Sequence, residues 1–176
     1  EAVVDADGAI LFTRADIETG QDVWRSIGGH ELGSVWGHGA YVAPDWTADW
    51  IHREATWLLD RWARALHGLD YDGLAPGIRA ALRARLRDEL RTNRYDAKRG
   101  VVTLSADRAA AVAAVGAHYK GLFRGDPALD ALRAAYAMPR NTVGDDERAE
   151  ALEAFFFWAA WSCVTHRPGE RVTYTQ

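Results

Sequence analysis

The 176 residues are enough for one domain, at most two small ones, with a sizeable buried core. Apolar residues make up 48%, there are eight tryptophans and the net charge is −4, which excludes a disordered chain and a nucleic-acid binder that relies on phosphate contacts. The single cysteine, Cys163, excludes an intrachain disulfide and a thiolate metal cluster, and no apolar run of ~18 residues is present to span a bilayer.

Residues 1–8 read as a polar arm and Ala9 to Phe12 as a short strand. Nothing there has the basic start and apolar stretch of a signal peptide, so targeting and membrane segments are expected outside these residues. Thr13, with Asp16 three residues later, forms a capping box, and Ile17, Val23, Trp24 and Ile27 then share one helical face. From Ser26 to Trp50 glycine becomes dense: Gly28, Gly29, Gly33, Gly37 and Gly39, interleaved with His30, His38, Trp36, Trp46 and Trp50. Glycine at this density marks tight turning or close backbone approach. The tryptophans supply apolar surface that packs the loop down. Such a loop between two helices is either a cofactor cradle or a docking surface.

A second helix follows Pro44, capped by Asp45 or Thr47, with Trp50, Ile51, Trp57, Leu58, Trp62, Ala65 and Leu66 at helical spacing as far as Gly68. Ala75 to Arg91 is a third helix, its Ile78, Leu82, Leu86 and Leu90 four apart and arginines on its other faces. Arginine supplies nearly all the positive charge (only Lys98 and Lys120 are lysines), which reads as compositional bias. Asn93 to Leu104 is a hairpin turning at Asp96–Gly100. Ser105 caps a fourth helix, Asp126-Pro127 opens a short fifth that stops before Pro139, and Asp145-Asp146 start the last at its positive end. There is no repeat and no linker. The expectation is a single, mainly α domain over residues 1–176 with one β-hairpin.

Three constellations carry chemical meaning. Ser26-Ile27-Gly28-Gly29-His30 has the spacing of a Cys-x-x-Cys-His haem-attachment site, with Ser26 and Gly29 where the two cysteines would be. Taken alone, Gly-Gly-His after a helix is ordinary C-cap chemistry. Met138-Pro139, holding the chain's only methionine, comes before the last helix, where class I c-type cytochromes place their axial methionine; taken alone it is core filler. The third is the run GSVWGHGAYVAPDWTADWIHRE, from Gly33 to Glu54.

That run resembles the signature of the extracytoplasmic domain of quinol-dependent nitric oxide reductases. Thr92-Asn93-Arg94-Tyr95-Asp96, Val101 to Ser105 and Phe155-Phe156-Phe157-Trp158 are similar too, so the resemblance covers nearly the whole chain. It implies a cytochrome c-like helical domain lacking haem, with an inserted helical segment. The vestigial haem positions would be Ser26, Gly29, His30 and Met138. The domain would lie between the first and second transmembrane helices of a larger enzyme, on the extracytoplasmic side of the cytoplasmic membrane. There it would dock on and cap the membrane catalytic part, which holds haem b, haem b3 and non-haem iron and reduces two NO to N2O and water with quinol electrons. In haem c relatives the backbone near the Gly-Ala-Tyr segment helps hold a junction calcium. The matching positions are Gly39 and Tyr41, with no calcium expected on this domain alone, since that ion wants six to eight oxygens. Docking is assigned to Gly37, Gly39, Tyr41 and Pro44.

The remaining sites read as structural. His52-Arg53-Glu54 lacks a second histidine at zinc-helix spacing, and there is no nucleophile elbow, P-loop or dinucleotide fingerprint. Asp145-Asp146-Glu147 reads as helix-start electrostatics, Cys163 as a buried inert thiol, and the aromatic last helix as core before quinone groove. No catalytic residue, nucleic-acid partner or covalent haem is expected. A competing reading is an ectodomain that binds a small apolar ligand. An electron carrier would need non-covalent haem through His30 and Met138.

Overall fold

The computed structural model describes residues 2–40 and 43–176. Its elements in chain order are β1 (Ala2–Val4), β2 (Ile10–Thr13), α1 (Arg14–Ser26), α2 (Gly29–Leu32), β3 (Ser34–Val35), β4 (His38–Gly39), α3 (Trp46–His67), α4 (Pro76–Arg91), β5 (Tyr95–Asp96), β6 (Val101–Thr103), α5 (Ala106–Arg124), α6 (Asp130–Ala135) and α7 (Asp146–Val164). Single 3-10 turns at Tyr71–Gly73 and Pro127–Leu129 precede α4 and α6.

The helix starts follow the sequence signals. Thr13 and Asp16 form the full capping box of α1. Asp45, Ser105 and Asp145 accept the backbone N–H three residues on, opening α3, α5 and α7. Pro76 begins α4, where its missing N–H costs nothing. Gly68 and Gly125 end α3 and α5 in the left-handed conformation.

α7 is the central rod. An apolar helix on nearly every side has to be surrounded, and ten of its residues are buried. α1 lies against it in backbone contact: a Cβ on Gly20 would meet the Ala151 carbonyl oxygen at 1.9 Å. α5 and α3 close the other sides. Trp46, fully buried, sits within 6 Å of the rings of Tyr119, Phe123, Tyr136 and Phe156, and Trp50 stacks on Tyr119 at 5.2 Å. A second, smaller core (Leu58, Trp62, Ala63, Leu74, Leu82, Ala111) holds the outer half of α3 and α4, the inserted helical segment, against α5.

The sheet is larger than one hairpin. β5 and β6 pair as expected, but β6 also pairs in parallel with β1, and β1 with β2, giving the order β2-β1-β6-β5. The expected polar arm at residues 1–8 is therefore corrected: Ala2–Val4 is an inner strand, with Val3 opposite both Phe12 and Val102. Three residues are too few for alternation to show, and the pairing partner lies about a hundred residues away. β3 and β4 form a second small hairpin inside the Gly-rich loop.

Candidate functional site

Ser26 and Gly29, at the two cysteine positions of the haem-attachment spacing, are both engaged otherwise. Ser26 Oγ donates to the Val23 carbonyl at 2.8 Å and accepts from Arg148 Nη2 at 2.6 Å, tying α1 to α7. Gly29 lies flat under the indole of Trp24: a Cβ there would meet ring atoms at 2.1 to 2.5 Å. Trp24 is 2% exposed and packs edge-on against Phe156 at 5.5 Å. Gly33 is filled in the same way, by the indole edge of Trp46. His30 is exposed, its ring leaning on Trp24, whereas Met138 is buried in the main core. One candidate ligand thus faces solvent and the other faces side chains. The Trp24 indole occupies the space that a cysteine side chain at position 29 would need, and Ser26 is tied to Arg148, so these residues do not fit a thioether-linked haem c. Among the described residues no group of three His, Cys, Asp or Glu side chains gathers to hold a metal ion.

The Gly-rich loop is a built turn. Trp36 and Gly37 both have positive φ, 55° and 74°, as the two central residues between β3 and β4. Primed two-residue hairpin turns demand this, and asparagine usually takes the first place. A tryptophan there costs roughly 1–2 kcal/mol in backbone strain. Three contacts offset it: Trp36 N–H donates to Thr47 Oγ1 at 3.1 Å, its indole N–H donates to the Ala159 carbonyl at 2.9 Å, and its ring meets Trp158 at 5.2 Å. Asp45 braces the turn, accepting from Ser34 Oγ at 2.6 Å and from the Gly37 N–H at 2.7 Å. Gly37, His38 and Gly39 are left exposed, with Pro44 half-buried at the exit. Tyr41 lies outside the described residues.

The two docking glycines differ. A side chain on Gly37 would meet nothing within 4 Å, whereas one on Gly39 would strike the Gly33 carbonyl oxygen at 2.2 Å. The close approach expected at Gly39 is therefore internal, to Gly33 in the same loop.

Beside this turn opens a cleft of about 620 Å³, walled by Trp36, His38, Ile51, Trp158, Cys163 and Tyr174. Cys163 is half-buried here, not fully buried as expected. Burial pushes its thiol up, so it holds its proton and is a poor nucleophile. A second groove of about 610 Å³ runs between α1 and the sheet over Phe155, Phe157, Trp158 and Trp161.

Three polar features escape sequence reading. Glu54 and Arg108, 2% and 1% exposed, form an ion pair at 2.8 Å between α3 and α5, with the Trp50 indole N–H donating to the second Glu54 oxygen. Tyr119 O–H donates to Asp49 at 2.5 Å, and Arg53 closes the same carboxylate; burial drives the Tyr119 hydroxyl far up. Glu153, on α7 facing Gly116 of α5, is raised to about 7 by burial and by Glu150. Helical periodicity predicts which faces are covered; the one signal for these residues is a charge on a covered face, and it does not name a partner.

A mainly helical domain whose first and last helices pack in backbone contact is consistent with a cytochrome c-like domain. The family model that matches is that of the cytochrome c-like domain of the nitric oxide reductase protein NorB, and it covers residues 1–176. The chain belongs to this family. NorB is a membrane protein, and no helix among the described residues is long and apolar enough to cross a membrane. No curated protein matches the chain.

Proposed function

We propose that the domain is a non-catalytic cap that docks on the membrane catalytic part of its own polypeptide, through the Gly37–Pro44 loop and the cleft beside it. It lies on the extracytoplasmic side of the cytoplasmic membrane, between the first and second transmembrane helices. The parent enzyme reduces two NO to N2O and water with quinol electrons at haem b, haem b3 and non-haem iron. The carrying observation is the braced turn: Trp36 is held in a strained conformation by contacts to α3 and α7, and the result is an exposed Gly37-His38-Gly39 tip over a largely apolar cleft. A mere connector needs no such bracing. Rigid presentation of a tip is what a docking contact requires, because it lowers the ordering cost of association.

The test compares Tyr41→Ala and His38→Glu in two settings. In the isolated chain His38→Glu, at an exposed position, leaves the thermal midpoint nearly unchanged, as surface changes cost within ~0.5 kcal/mol, and the docking reading expects the same of Tyr41→Ala. In the full-length enzyme both lower turnover or thermal stability through a loosened junction. If Tyr41→Ala unfolds the isolated chain yet leaves full-length turnover normal, the loop is core and the docking reading fails.

The groove over Phe155, Phe157, Trp158 and Trp161 favours a second reading, a small apolar-ligand-binding ectodomain. Saturable quenching of tryptophan fluorescence by a hydrophobic probe, lost on Trp161→Ala, would support it over capping alone.

A further inference from the structure

Glu153 is half-buried on α7, in the seam with α5. Its Oε2 lies over Gly116 of α5, so close that a Cβ on that glycine would be 2.5 Å from it. Its Oε1 is buried with no hydrogen-bond partner among the described residues. An ionised carboxylate with one oxygen in this state loses water there with nothing in return. The protonated form costs far less to bury.

The charged groups around it do not rescue the ionised form. On its own helix Glu150 repels it, and Asp146 lies a further turn back. On α5 the nearest cation is Lys120, whose ammonium is held by Glu150 at 2.7 Å and Asp146 at 3.2 Å. Arg124, one turn further along α5, is taken by Asp146 at 2.8 Å. Both cations of the seam are thus turned toward the start of α7. Glu153 is left with a glycine on one side and a like charge on the other, and the pull of the shared Lys120 is the smallest of the influences on it.

We propose that Glu153 is a pH-operated latch between α5 and α7: protonated, it closes over Gly116 and seals the seam; ionised, it swings to water and the seam loosens. Its proton is released near neutral pH, because burial and Glu150 raise the carboxyl to about 7. Gly116 is what makes this closed position possible, since a Cβ there would be 2.5 Å from Oε2 and the carboxyl would have to move. α7 also carries Trp158 and Cys163 of the docking cleft, so the latch acts on the helix that the proposed docking uses. The latch is tested in the isolated chain and docking in the full-length enzyme, so the failure of one leaves the other standing.

Two measurements test it. Carboxyl-carbon NMR of the wild-type chain, with Glu153 assigned by loss of its signal in Glu153→Gln, is expected to show a midpoint two or more pH units above the exposed glutamates. Hydrogen exchange of the α5 and α7 amides flanking Gly116 and Glu153, corrected for intrinsic rates, is expected to speed up at least tenfold from about pH 6 to about pH 8 in wild type and to stay flat in Glu153→Gln. Gly116→Ala, which displaces the carboxyl, is expected to return the midpoint to the exposed range. A wild-type midpoint among the exposed glutamates, or the same exchange profile in Glu153→Gln, overturns the latch.

Discussion

Adding one methyl group at Gly29 tests whether the Trp24 indole has taken the space of the missing second cysteine. In α2, Gly29→Ala should ordinarily stabilise, because alanine is the better helix former by about 1 kcal/mol, and Gly29 does not hold a positive φ that would penalise a side chain. The structure reverses the sign. The new Cβ would sit 2.1 Å from Trp24 Cδ2, well inside contact distance. The indole cannot simply recoil, being backed by Phe156 and buried under α7. Overpacking of this kind costs typically 1–3 kcal/mol, so after the helix gain of about 1 kcal/mol a net loss of about 1 kcal/mol is expected. For a chain of this length that lowers the melting midpoint by about 3 °C. Trp24→Ala alone costs about 3–5 kcal/mol through the cavity it leaves. In that background Gly29→Ala has room, and its effect turns neutral or favourable. The double-mutant cycle, read by urea unfolding of all four proteins, should show a coupling of about 2 kcal/mol. A rise in midpoint for Gly29→Ala in the wild-type background, or an equal penalty in both backgrounds, refutes the account.

Restoring both thiols with Ser26→Cys and Gly29→Cys should give no covalent haem product under c-type maturation, since the second cysteine meets the Trp24 ring; a haem-stained band of the chain's mass would contradict this. Haem added to the wild-type chain should give no tight Soret band dependent on His30, as measured by titration with His30→Ala alongside. Arg108→Met should destabilise by about 3–5 kcal/mol by stranding Glu54, and Glu54→Leu added to it should recover most of the loss, both read by urea unfolding. Because the folded value of Glu153 is raised above its ordinary 4.5 to about 7, the folded chain binds more protons than the unfolded one between those values. Stability therefore falls as pH rises through that window, by about 2 kcal/mol after allowance for partial hydration, and melts of Glu153→Gln should lack this component.

The helices were legible because their signals are local. Thr13 and Asp16, Asp45, Ser105 and Gly68 each act within one turn of themselves, and each marks a boundary that the structure keeps within a residue or two. The inner strand was not. Ala2–Val4 owes its place to β6, and no window of sequence joins residues a hundred apart. The same limit hid the Glu54–Arg108 pair: a zinc helix can be excluded at Glu54 from spacing, but the arginine that neutralises it lies 54 positions on. At the vestigial site, the missing cysteines were plain in the sequence. What replaced them needed geometry, because Gly29 matters only through a tryptophan five residues earlier that folds back over it.

That geometry also separates two meanings of glycine within one loop. Gly29, Gly33 and Gly39 are each blocked from inside, by Trp24, by Trp46 and by the Gly33 carbonyl, so all three belong to the fold. Gly37 is open on every side and belongs to the turn alone. Substitution at the first three is therefore a test of folding and says nothing of a partner. An effect on the full-length enzyme that leaves the isolated chain intact is expected from an outward position such as His38. A Gly39→Val variant that fails in the membrane enzyme would fail equally in the isolated chain.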